Sequence, residues 1–224
     1  MTAQIPFTHL SPLAFLHDEL ARLSPVRFMV WNSVLAVIPA LLALAFFRPR
    51  PTGPKAGLIV FWAEMGLVLL FLPNAPYVAT DLVHFLEAVR GSSASPWKIL
   101  ATQFPLYVGF VLFGLVCYAF TEDRMLEMLA ARHGRKGYLG GLWLIPLLSA
   151  VGIYLGRADR FNSWDVLAQP MAIAQVGTQG IGRAKTLGIV VGMAGLLVLV
   201  HQGYRVFRDG IRYRREGRPV IGDQ

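Results

Sequence analysis

Asp81 and His84 stand three residues apart, the spacing at which two side chains meet on one helical face. A carboxylate so placed orients an imidazole and favours its charged form, which suits a general base with its orienting partner. The same spacing serves a structural hydrogen-bonded pair equally well. As a metal site the pair lacks a third ligand, because His9, His17, His133 and His201 lie in scattered contexts, so no metal is expected. Further along, Arg157, Arg160 and Trp164 follow at i, i+3 and i+7. Two guanidiniums on one face can grip a phosphate or carboxylate through paired hydrogen bonds. Arginines that only snorkel to headgroups, an interfacial tryptophan, and Asn162 with Asp165 as a helix cap and its acidic partner account for the same residues.

Both groups belong to longer polar clusters. Around the first run Leu72-Pro73-Asn74-Ala75-Pro76-Tyr77, then Asp81 and His84; around the second runs Arg157 to Asp165. Pro73 and Pro76 donate no backbone hydrogen bond, so a helix must kink or end near Leu72. A helix resumed at Asn74 places Asn74, Tyr77, Asp81 and His84 in one polar stripe. Asn74, Tyr77, Arg157, Arg160, Asn162, Trp164 and Asp165 are therefore candidate binding residues, and Asp81 and His84 candidates for proton transfer.

The elements that position these clusters are hydrophobic. Of 224 residues, 55% are hydrophobic and only 15% charged, with a mean hydropathy of +0.52, which excludes an ordinary soluble domain. Five stretches approach the roughly 20 residues that span a bilayer, near Phe28–Phe47, Gly57–Leu72, Ile99–Phe120, Tyr138–Leu155 and Thr186–Tyr204. The second is short unless it continues past Pro73. Residues 166–176 are apolar but brief and interrupted by Pro170, as an interfacial or re-entrant helix would be. The expected fold is an all-α integral membrane bundle of about five transmembrane helices with interfacial helices. Its parts are an amphipathic extracytoplasmic segment (1–26), the bundle (27–204) and a basic cytoplasmic tail (205–224). The lone cysteine, Cys117, permits no internal disulfide. No cleavable leader is expected, so the first span acts as its own insertion signal.

The 21 Lys and Arg residues divide between the two sides as eight and thirteen. Retention of positive loops makes the richer side cytoplasmic, with the amino terminus outside and the carboxyl terminus inside. Both polar clusters then share the outer face, with five crossings or six. The net charge of +8 is concentrated in the arginines from Arg205 to Arg218, directly after a span. That placement implies anionic lipid headgroups, and not nucleic acid, as partner. The run from Thr121 to Gly137 reads as a solvated helical extension on the cytoplasmic side. Glu64, inside the second span, must face the bundle interior, as a proton relay or a buried hydrogen bond, with Gln103 and His201 the available intramembrane polar residues. Gly188 and Gly192 form a small-xxx-small face.

Leu72 to Tyr77, Thr80-Asp81-Leu82 with His84, and Arg160-Phe161-Asn162-Ser163-Trp164-Asp165 resemble the hallmark segments of a bacterial family of predicted multi-pass membrane proteins known only as a domain of unknown function. The resemblance runs from about the first span to the last. It implies a bacterial inner-membrane location and carries no activity, substrate or cofactor onto any residue. From the residues themselves, the leading function is binding, with processing as its extension, of an anionic amphiphile such as a lipid headgroup in an outward-facing pocket. A small transporter component working through Glu64, and a non-catalytic membrane scaffold subunit, are the alternatives. Cofactor and oligomeric state are not legible.

Overall fold

The computed structural model describes residues 12–47, 56–81, 89–90, 95–158, 163, 165–181 and 183–216, and these are helical almost throughout. Helix α1 runs from Pro12 to Phe46 without a break, so the segment before the first span and the span itself form one rod. Helix α2 covers Ala56–Phe71. A turn at Leu72 and Pro73 leads into the short α3 (Asn74–Tyr77) and a 3₁₀ turn (Val78–Asp81). Pro73 keeps a helical φ of −58° and ψ of −24°, and Tyr77 N–H donates to the Pro73 carbonyl at 3.1 Å, so the path stays helical across the missing donor. The second apolar span accordingly extends over 57–80.

Helices α4 (Pro96–Thr102) and α5 (Phe104–Ala158) follow. Four helical stretches are long and apolar enough to cross a membrane. The 55 residues of α5 would extend about 80 Å if straight, far beyond a bilayer. They do not run straight, because Gly134 has φ 63° and ψ −154°, a backbone conformation open to glycine and not to other residues. The chain folds back there. A Cβ placed on Gly137 would meet the Leu129 carbonyl oxygen at 2.5 Å, and one on Gly141 would meet Leu129 and Leu126 side chains at 2.6 and 2.7 Å. α5 is thus an antiparallel hairpin with a first arm (104–133) and a second arm (135–158).

Two short helices, α6 (Asp165–Ala168) and α7 (Pro170–Ile181), precede α8 (Ala184–Glu216). With 12 residues, α7 measures about 18 Å, too short to cross, and Pro170 takes its first position, where the absent N–H costs nothing. α8 packs along α5 and runs parallel to its first arm, since His201 and then Arg208 meet Asp123 and then Glu127. A sixth crossing between the second arm and α8 would reverse that direction.

Large apolar side chains crowd the outside, Trp31, Trp62, Trp143, Ile59 and Leu199 among them. The interior holds Ala36, Val68, Leu72, Val78, Tyr118, Met125, Leu126 and Leu197 together with polar Thr121, Glu122, Ser149 and His201. Apolar outside and polar residues buried inside is the distribution a bilayer selects. At one end of the bundle the start of α2 meets the hairpin turn, where the Arg132 guanidinium lies 4.8 Å from the Phe61 ring centroid and Trp62 stacks on His133 at 5.8 Å. Arg205 donates to the Tyr138 hydroxyl at the same end. The beginnings of α6 and α7 and the Pro73 turn lie at the other.

Gly188 and Gly192 have open space where a Cβ would stand, so no helix of the chain approaches that face among the described residues. The run from Thr121 to Gly137 departs from the solvated extension expected of it. Arg124, Glu127, Arg132 and His133 are exposed, but Thr121 and Glu122 are fully buried and Asp123 nearly so. The reason is the hairpin itself, which presses one face of the first arm against the second arm while α8 covers the adjacent face. Arg205 and Arg208 of the basic tail are likewise drawn onto the bundle by Tyr138 and Asp123, whereas Arg212, Arg214 and Arg215 are exposed.

Candidate functional site

The Pro73 turn reaches its place because two glycines make room for it. A Cβ on Gly152 of the second arm would stand 2.5 Å from Pro73 Cγ, and one on Gly114 of the first arm would collide with the Val78 side chain and the Ala75 carbonyl oxygen. Both arms of α5 therefore clasp α3 at van der Waals distance, with Ala75, Pro76 and Val78 buried between them. Thr80 Oγ1 donates to the Tyr77 carbonyl at 2.7 Å, which closes the 3₁₀ turn.

This packing turns Asn74 and Tyr77 toward a cavity of about 770 Å³. Asn74 Nδ2 donates to Ser163 Oγ at 3.0 Å and so ties the first polar cluster to the second. The cavity is walled by Leu35, Leu69, Leu148, Val151 and Leu155, and α7 reaches it through Ile173. Its polar lining is Asn32, Asn74, Tyr77, Arg157 and Ser163. A pocket of this size, lined by apolar side chains and a few polar groups, is the usual form of a small-molecule site.

Of the residues singled out from the sequence, Asn74, Tyr77 and Arg157 line this one cavity. Arg157, in the last turn of α5, is exposed there. Asp165 opens α6 and is half-buried, next to the cavity-lining Val166. Asp81 ends the 3₁₀ turn that follows Tyr77, and its side chain lies outside the described residues. His84, Arg160, Asn162 and Trp164 also lie outside them. Glu64 is half-buried on α2, two turns before the cavity-lining Leu70. No group of three or more His, Cys, Asp or Glu side chains capable of holding a metal ion occurs among the described residues.

Three contributors escaped the reading of the sequence. Asn32 is nearly buried in α1 and faces the cavity; a lone amide in an otherwise apolar span was its signal. Ser163 lay inside the second motif but looked like filler between Asn162 and Trp164. Gly152 carried no signal, since nothing in its surroundings says that a proline 79 residues away must dock on it.

A second polar cluster sits deeper, along the first arm. Asp123 is bridged by Arg208, with His201 Nε2 at 3.5 Å from its other oxygen. Arg208 also reaches Asp209 at 3.0 Å and Glu127 at 3.7 Å, and Arg124 pairs with Glu127 at 3.2 Å. On the neighbouring face Tyr118 and Glu122 stand one turn apart, with Ser149 of the second arm opposite.

Comparison with curated proteins and with solved structures finds no match. Residues 31–200 match the family described as Protein of unknown function (DUF1361), an interval from the cavity-lining Trp31 through the hairpin to one residue short of His201. With that match over most of its length, this multi-pass helical membrane protein belongs to the DUF1361 family.

Proposed function

We propose that the protein binds an anionic amphiphile, a lipid headgroup with part of its chain, in the cavity between α1, the Pro73 turn and the second arm of α5. The observation that carries this reading is the Asn74–Ser163 hydrogen bond, which joins two distant polar clusters on one lining that also includes Arg157. The mixed lining suits a ligand with a charged head and an apolar tail. Arg157 supplies the positive charge, Asn32, Asn74, Tyr77 and Ser163 supply neutral hydrogen-bonding groups, and the leucines accept the chain. Arg160, Asn162, Trp164 and Asp165 belong to the same second cluster in the sequence and are the further residues assigned to headgroup binding. Asp81 and His84 follow the cavity wall in sequence and are the groups that would move a proton in any processing of the bound lipid.

The lysine and arginine distribution supports an orientation with the amino terminus outside and this cavity on the outer face, in the bacterial inner membrane that the family resemblance implies. The tail arginines Arg212, Arg214 and Arg215 then hold anionic headgroups of the inner leaflet, each contributing about 1 kcal/mol near the surface. Native mass spectrometry of the purified protein tests the cavity. Anionic lipid is expected to be retained in preference to zwitterionic lipid, and Arg157→Ala with Asn74→Ala is expected to erase that preference. Equal retention by the wild type and the double variant would discard the reading.

A further inference from the structure

We propose that Glu122, with the hydroxyls of Tyr118 and Ser149, forms a buried exchange site for one monovalent cation, a proton or a sodium ion. Glu122 has no exposed surface, and neither of its carboxylate oxygens has a hydrogen-bond partner among the described residues. Tyr118 Oη and Ser149 Oγ are equally buried and equally unsatisfied. Six such side-chain atoms occur among the described residues, and four of them belong to these three side chains. Buried polar groups are almost always satisfied, so a local concentration of unsatisfied oxygens marks a place that a further species occupies.

Charge accounting says what that species carries. Asp123, the next residue, is neutralised by Arg208 and faced by His201. Arg208 is shared with Glu127 and Asp209, and Arg124 is paired with Glu127. No cationic side chain hydrogen-bonds to Glu122 among the described residues. A carboxylate sealed in a low-dielectric interior with no counter-charge is heavily penalised. One positive charge removes the penalty, whereas a divalent ion would leave an uncompensated charge of the opposite sign. A single carboxylate and two hydroxyls are hard oxygen donors, suited to a proton or an alkali ion and unsuited to the softer transition metals.

The polar groups nearest to the site in the chain lie on the adjacent face of the same helix and on α8 against it. His201 is fully buried, Asp123 is slightly exposed and Arg208 is about one fifth exposed, a graded polar path from the interior toward the hairpin end of the bundle. The site shares no side chain with the lining of the lipid cavity, and its failure would leave that reading untouched.

The test uses the full-length protein purified in detergent, first freed of sodium and then titrated with sodium chloride or choline chloride at matched ionic strength. If sodium is the occupant, sodium chloride raises the unfolding temperature to a plateau that choline chloride does not reach, and Glu122→Gln abolishes the rise. If the proton is the occupant, sodium has no specific effect, and infrared spectroscopy at neutral pH shows the C=O stretch of a protonated carboxylic acid that Glu122→Gln removes and Glu64→Gln does not. Tyr118→Phe, which keeps the carboxylate, is expected to weaken sodium binding by about tenfold or to shift the C=O band, because it removes one of the three oxygen-bearing side chains that would surround the cation. Should Glu122→Gln not fold, Tyr118→Phe and Ser149→Ala carry the same readings. A Glu122 carboxylate that is ionised at neutral pH without any sodium response, or a sodium response and C=O band indifferent to all three substitutions, overturns the proposal.

Discussion

Asn74 and Ser163, 89 residues apart, are joined by a hydrogen bond of 3.0 Å on the lining of a cavity of about 770 Å³. Deleting either partner should cost about 1 kcal/mol, the ordinary worth of a half-buried neutral bond. In thermal unfolding, Asn74→Ala with Ser163→Ala should destabilise by less than the sum of the single changes, because the two share one interaction. Strict additivity would mean that the contact contributes nothing.

Gly152 and Gly114 admit the Pro73 turn only because they have no side chain. Gly152→Val and Gly114→Val should therefore each lower the yield of folded protein, with destabilisation of about 1–3 kcal/mol or more as the turn is pushed out. Gly188→Val, on a face with open space, should leave the yield unchanged. Size-exclusion profiles of the three variants side by side make the comparison.

Arg208 and Asp123 hold α8 to the first arm of α5. Arg208→Met strands a nearly buried carboxylate, and removal of one member of such a pair typically costs about 3–5 kcal/mol. Asp123→Asn should cost less than Arg208→Met, since the more exposed Arg208 keeps Glu127 and Asp209 as partners. Unfolding temperatures in one detergent read the order directly, and the reverse order would mean that Asp123 draws its support from elsewhere.

Gly156 lines the cavity without taking part in its polar side. Gly156→Phe should fill part of the space, reduce copurified lipid several-fold and leave the unfolding temperature close to that of the wild type. A variant that retains its full complement of lipid would place the bound lipid elsewhere on the protein.

The hairpin turn and Ser163 stand at opposite ends of the bundle. In a background carrying Cys117→Ala, Arg135→Cys should react with a membrane-impermeant thiol reagent only after the cell is opened, and Ser163→Cys should react in intact spheroplasts. The opposite pattern would invert the proposed orientation while leaving the fold as described.

The prolines of Leu72 to Tyr77 made the turn between α2 and α3 legible, because a missing donor has a local consequence that needs no partner. That Asn74, Tyr77 and Arg157 would come to the same end of the bundle was legible for a related reason: alternating loops force both clusters to one side, and a small bundle leaves little room to keep them apart. Glu122 and Asp123 were not legible. They sit among Arg124, Glu127 and Arg132, and a mixed charge run ordinarily marks a solvated face. The clue was positional, since Tyr118, Glu122, Leu126 and Leu129 fall on one stripe that only a folded-back helix would bury. The partners of the next stripe, His201 and Arg208, lie about 80 residues further along, where the arginine looked like part of a lipid-binding tail.

Ser149 and Gly152 stand a single helical turn apart on the second arm, one opposite Tyr118 and the other seating Pro73. The second arm thus borders the isolated carboxylate at one height and the cavity at the next. A side chain at Gly152 would therefore displace Pro73 from the same turn of helix that carries Ser149, although the isolated carboxylate and the cavity share no lining residue.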